Sequence, residues 1–78
     1  MVKLKNIVKN KESISASYEP EHSGKLGYIE VGKDGEILKR EYSEYDKDFP
    51  WYFQHAVSEL KRLVLLDTPP SESTVAWY

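Results

Sequence analysis

The sequence predicts an α+β fold, a mainly antiparallel sheet of four to five strands in the order ββββαβ with one helix packed across one face. Three observations carry this expectation. Residues 49–66 place apolar side chains at helical spacing, whereas residues 1–42 alternate apolar and polar with the period of two that marks half-buried strands. Between two of those alternating runs stands Asp34-Gly35, the strongest short hairpin signal in the chain.

In the first run Val2, Leu4 and Val8 alternate with Lys3, Lys5 and Lys9, although Asn6 falls on the apolar phase and Ile7 on the polar one. In the second, Ile14, Ala16 and Tyr18 face one way and Ser13, Ser15, Ser17 and Glu19 the other. Register follows the apolar face. A three-residue loop over Asn10-Lys11-Glu12, or a bulge, pairs Val8 with Ile14 and Leu4 with Tyr18 and keeps lysines out of the core. Residues 20–24 read as a turn, and two further runs, 25–32 and 36–42, flank Asp34-Gly35. A two-residue turn there sets Val31 opposite Leu38, Ile29 opposite Arg40, Glu30 opposite Lys39 and Gly27 opposite Tyr42. Ile29, Val31, Leu38 and Tyr42 then point inward, and the Tyr42 ring covers a glycine that has no side chain of its own.

Residues 43–48 form an acidic connection in which Asp48 is the expected helix cap and Pro50 occupies the first turn. At about 100° per residue, Phe49, Phe53, Ala56, Val57, Leu60, Leu63 and Val64 fall within an arc of about 120°, the width of stripe a helix lays on a core. Pro69-Pro70 forbids continuation, so the helix should end near Leu66 or Asp67. Residues 71–74 read as a turn and Val75-Ala76-Trp77-Tyr78 as a closing strand. That strand joins either the first strand, for the order 5-1-2-3-4, or the fourth by a right-handed crossover. The first arrangement is preferred.

With 78 residues there is room for one domain. The chain has no cysteine, which excludes disulfides and thiolate-held zinc and leaves packing to supply stability. The N-terminal residues do not read as a signal peptide, and the longest apolar runs are far too short to span a bilayer. A net charge of −2 gives no general attraction to nucleic acid or acidic lipid. Composition therefore leads to the expectation of a soluble, cytoplasmic domain with no membrane partner.

Chemistry-bearing residues gather on the side of the helix away from the core stripe. Trp51, His55, Ser58 and Arg62 recur there at spacings of four, three and four, with Leu65 close by and Tyr52 and Glu59 at the border. A fold does not need a Trp and a Leu on the solvent side of a helix, and Trp, Tyr and Arg are the commonest interface anchors. The leading expectation is a small non-enzymatic interaction module, a homodimer or a binder of another protein, whose interface is Trp51, His55, Ser58, Arg62 and Leu65. The bland alternative folds Trp51 over a loop and leaves His55 and Arg62 solvated. A second function class is a ligand-binding or catalytic protein centred on His55, with Glu59 one turn on to orient its ring. No nucleophile motif accompanies that pair, and no glycine-rich phosphate loop is present. His22, in a turn with Glu19 and Glu21, falls short of a zinc pattern. No catalytic residue, cofactor or metal is assigned. A third class is a single-stranded nucleic-acid platform on the sheet's outer face, from Lys3, Lys5, Lys9, Ser15, Ser17, Tyr28 and Lys39. Glu30 and Glu41 in the middle of that face make it the weakest of the three.

On Ile14-Ser15-Ala16, Gly27-Tyr28-Ile29, His55-Ala56 and the closing Val75-Ala76-Trp77-Tyr78, the whole chain resembles a set of small proteins of Gram-positive bacteria that carry no assigned activity. The resemblance implies a strand-rich front half, one helix, a single domain and a cytoplasmic location. It transfers no functional residue.

Overall fold

The computed structural model describes residues 1–48 and 50–76. Strands β1 (Val2–Lys9), β2 (Ser13–Pro20), β3 (Gly27–Gly32) and β4 (Ile37–Glu41) are followed by a 3-10 turn (Glu44–Asp46), helix α1 (Trp51–Leu63) and strand β5 (Ser73–Val75). The strands form one sheet in the order β4-β3-β2-β1-β5, with every neighbouring pair antiparallel. Helix α1 packs across β1, β2, β3 and β5. The fold class and the preferred strand order are those the sequence predicts. The closing strand begins two residues earlier than expected, pairing Ser73 with Leu4 and Val75 with Val2; Trp77 and Tyr78 lie outside the described residues.

The inner face is built from the alternation. Val2, Leu4, Ile14, Ala16, Tyr18, Ile29 and Val31 are buried, and Phe53, Ala56, Val57, Leu60, Leu63 and Val64 of the helix segment lie against them. Phe49, expected in the same stripe, falls outside the described residues. Phe53 meets two tyrosine rings edge-on, Tyr18 at 5.8 Å and Tyr42 at 4.8 Å between centroids. Such T-shaped contacts are favourable because the positive ring edge faces the negative π cloud.

Two bulges alter the expected registers. In the first hairpin Leu4 pairs with Tyr18, as predicted, but Val8 pairs with Ser15 and Lys9 with Ile14. The Asn10 amide donates to the Ser13 carbonyl, so the loop is only Lys11-Glu12. One extra residue is absorbed at Asn6, whose φ of 53° is left-handed, a conformation asparagine tolerates better than most residues. Past that bulge the phases exchange. Ile7 enters the core, Val8 turns out to solvent at 52% exposure, and Lys9 moves from the expected outer face to the helix side. There its ammonium donates to the Leu66 carbonyl beyond the end of α1, where the helix dipole favours a cation.

The second hairpin keeps Ile29 opposite Arg40 and Glu30 opposite Lys39, but Val31 faces Ile37 instead of Leu38. The Gly35 amide donates to Gly32 and the Gly32 amide to Glu36, closing a three-residue turn over Lys33-Asp34-Gly35. Gly35 takes a φ of 88°, which suits glycine. A compensating shift between Glu30 and Val31 then restores the register toward Glu41. Ile37 therefore packs against the core in place of Leu38, which is 52% exposed. The aromatic cover over Gly27 is also reassigned. It comes from Tyr18, the Gly27 partner on β2; a Cβ built on Gly27 would lie 2.2 Å from Tyr18 Cε1 and 2.6 Å from the Glu41 carbonyl oxygen.

The helix is moored by a residue other than the expected one. Asp48 is exposed, and no side chain caps α1 at Pro50. Asp46 swings inward instead, at 1% exposure, and accepts from the amides of Phe53 (2.8 Å) and Tyr52 (3.2 Å). The Tyr18 hydroxyl donates to the same carboxylate at 3.2 Å and accepts from the Ser43 amide at 2.9 Å. Burial pushes the Tyr18 phenol well above the usual tyrosine range, so it stays a donor. Ser43 completes the arrangement: its hydroxyl accepts from the Tyr45 amide and donates to the Lys25 carbonyl. One acidic side chain thus ties the central strand to the first turn of the helix. At the other end α1 closes at Leu63, short of the expected Leu66, and Val64 to Leu66 follow in a terminal turn.

Candidate interaction surface

The core grips one side of α1, so the other side is presented on a rigid support. Trp51 is the first residue of the helix and 62% exposed; Leu65, just past its end, is 77% exposed. Between them Ser58 and Arg62 are exposed and His55 is half-buried. Trp51, His55, Ser58 and Arg62 form one row along α1 over about 16 Å, at 1.5 Å per residue, and Leu65 follows in the turn past its end. The expected constellation is therefore assembled on one face, apolar at both ends and polar in the middle.

Neighbouring residues modify each end. Tyr45, exposed in the 3-10 turn, meets Tyr52 edge-on at 5.6 Å between centroids and extends the aromatic character around Trp51. Leu66 adds to Leu65 at the other end, at 39% exposure. Neither Tyr45 nor Leu66 was singled out from the sequence. Tyr45 lies in what reads as a polar linker, and the Ser43-x-x-Asp46 spacing was the available sign that a turn organises that linker.

Glu59 has a structural employment. Arg62 grips its carboxylate in a fork, Nε to Oε1 and Nη2 to Oε2 at 2.9 Å each, and the Ser73 hydroxyl donates at 2.6 Å. The Arg62 bond holds the Glu59 carboxyl below the usual carboxylate range. A carboxylate held ionised by three donors is a poor proton acceptor, and this one clasps α1 to β5. Arg62 is consequently held in one orientation on the outer face, a geometry suited to recognition.

On the other surfaces several charges are engaged. On the outer sheet face Lys3 pairs with Glu72 and Lys5 with Glu19, and the Lys39 ammonium lies 5.5 Å from the centre of the Tyr28 ring. Lys3 and Lys5 are paired with carboxylates, and the Tyr28 ring that would stack a base has a cation over it. Around His22, Glu19 accepts from the Gly24 amide besides Lys5, and Glu21 holds the N-terminal ammonium of Met1. Strand β4 lies at the sheet edge, but it carries Lys39, Arg40 and Glu41 in succession next to a bulge, both devices that discourage strand pairing. A cleft of about 310 Å³ is lined by Glu12, Gly32, Lys33, Asp34, Glu36 and Leu38, near where Lys61 passes Gly35, so it belongs to the two hairpin turns.

Among the described residues no helix is long and apolar enough to cross a membrane. No protein-family model matches the chain, and neither a curated protein nor a solved structure matches it.

Proposed function

We propose that this protein is a small cytoplasmic interaction module that contacts a protein partner, itself or another chain, through the outer face of α1. The observation that carries the reading is the exposure of Trp51 at the start of α1 and of Leu65 just past its end, flanking an element whose opposite side is packed into the core. Large apolar groups carried on a packed helix and its end lose apolar exposure when docked, and Trp and Arg contribute most per residue when they are buried at an interface. The engaged lysines of the sheet face and the Arg62–Ser73 grip on Glu59 support this reading over nucleic-acid binding or His55 chemistry.

A photo-activatable cross-linker placed at Ser58 tests it, with one at Ser15 on the sheet face as comparison. In cells, adducts at Ser58 but not at Ser15 are expected. Adducts at Ser15 alone, or at neither position, overturn the proposal.

A further inference from the structure

We infer that residues 67–75 form a detachable strap, which swings away from β1 as a unit about residues 67–70 while α1 and the other four strands stay folded. Burial carries the first half of the argument. None of residues 65–76 is buried; Ser73 and Val75 are half-buried, and Val75 rests against the margin of the core. The strand beneath is different. Val2 and Leu4 of β1 are fully buried, and β1 is held by β2 along its other edge and by α1 across its inner face. Releasing the strap therefore draws no fully buried side chain of its own into water. Segments with little buried apolar surface and exposed hydrogen bonds open at a fraction of the free energy of global unfolding.

The contacts have the layout of a strap fastened on both sides of a hinge. At its root the Lys9 ammonium holds the Leu66 carbonyl to β1. Residues 67–70 then carry none of the hydrogen bonds found among the described residues. Pro69-Pro70 makes that stretch a stiff link, with no backbone donors and no tendency to coil back into helix. Beyond the hinge, three polar contacts add to the pairing with β1. The Ile7 amide donates to the Ser71 carbonyl at 3.0 Å, the Ser73 hydroxyl donates to Glu59 at 2.6 Å, and Lys3 meets Glu72 at 3.5 Å. The last of these is solvent-exposed and weak. Ile7 lies in the bulge where the β1–β2 register breaks, so its amide reports on the strap and not on β2.

Opening bares the outer edge of β1, an eight-residue strand, as a row of unpaired backbone groups of the kind folded sheets keep covered. It also takes the Ser73 donor from Glu59, so the position of the strap is felt at the Glu59–Arg62 fork on α1. The strap is a cover for a sheet edge that lifts without unfolding the domain.

Hydrogen exchange of the full chain under native conditions, followed amide by amide by NMR, separates the strap from the rest. Ile7 should exchange about 100-fold or more faster than the slowest amides of β2, an interior strand. Ile29→Val trims the core on β3, which β1 and β2 separate from β5. It should speed the slow β2 amides by about two- to tenfold and leave Ile7 unchanged, because the core stays intact when the strap opens. Lys3 and Thr74 are cross-strand partners, and the chain has no cysteine of its own. Lys3→Cys with Thr74→Cys therefore gives a staple that oxidation closes and reduction opens. Closed, it should slow Ile7 exchange by about tenfold or more relative to the reduced form. The inference is overturned if Ile7 exchanges no faster than the slow β2 amides, if Ile7 speeds up in step with them in I29V, or if closing the staple leaves it unchanged.

Discussion

Replacing Asp46 by alanine tests how the helix is held in place. The substitution removes the acceptor for the Phe53 and Tyr52 amides and for the Tyr18 hydroxyl, all at the junction of β2 and α1. Loss of a side-chain cap costs about 1–2 kcal/mol. Stranding the buried Tyr18 hydroxyl, which still accepts from Ser43, adds about 1–2 kcal/mol. The sum, about 2–4 kcal/mol, is a large part of the roughly 4–12 kcal/mol available to a chain of this length. At about 4–8 °C per kcal/mol the melting temperature falls by about 8–30 °C. Asp46→Asn should be intermediate, because the amide keeps one acceptor and turns a donor toward another donor. Asp48→Ala, at the position the sequence favours as the cap, should stay within about 0.5 kcal/mol of wild type. Thermal melts and urea titrations of the three variants suffice. The reasoning is refuted if D48A costs as much as D46A, or if D46A costs less than about 1 kcal/mol. Tyr18→Phe combined with D46A should be strongly non-additive, since the two groups share a bond.

The other predictions concern packing, register and charge. Gly27→Ala forces a methyl group against Tyr18 and the Glu41 carbonyl, and since the backbone atom cannot yield without disturbing β4, a loss of about 3 kcal/mol or failure to fold is expected, read by urea unfolding. Ile37→Ala should cost about 1–3 kcal/mol and Leu38→Ala much less in the same assay; the reverse order would place Leu38 in the core and remove the bulge. Acid should destabilise through Glu19, Glu21 and Glu59, whose carboxyls are held below the ordinary value by Lys5, by the N-terminal ammonium and by Arg62 respectively. A depressed folded value means that the unfolded chain binds more protons, so this stabilisation is present above the unfolded value of about 4.5 and is lost as pH falls through the folded values. Urea midpoints should therefore decline below about pH 4.5, with Arg62→Gln declining less steeply because Glu59 then loses the largest of the interactions that depress it.

Much of this was legible in the residues because periodicity is a direct imprint of burial. The stripe from Phe53 to Val64 and the serine–apolar alternation of β2 each had one plausible side to bury, and both are buried as expected. The departures share one cause. A bulge adds a residue without a compositional signal of its own, and every side chain beyond it changes face. Asn6 and Ile7, out of phase with their strand, were that bulge seen from the sequence; Lys9 and Val8 exchanged faces because of it. At Asp34-Gly35 the turn type decided the outcome, since a three-residue loop and a two-residue loop can both use that dipeptide. Asp46 was hidden for a different reason. Three acids, Glu44, Asp46 and Asp48, precede the helix, and only the 3-10 turn from Glu44 to Asp46 determines which of them faces inward. The outer row from Trp51 to Arg62 was legible because helical spacing alone brings it together; the role of Glu59 was not, because its partner Ser73 arrives from β5.

The account stands or falls on which face of the molecule meets another chain. The most direct measurement is a comparison of ¹⁵N–¹H correlation spectra of the uniformly labelled protein, purified and dilute and then inside cells. The amides of Trp51, His55, Ser58, Arg62 and Leu65, with the Trp51 indole, should shift or broaden together. Those of Ser15, Ser17 and Lys39 on the outer sheet face should stay still. Movement confined to β4, or no movement anywhere, would contradict docking through the outer face of α1.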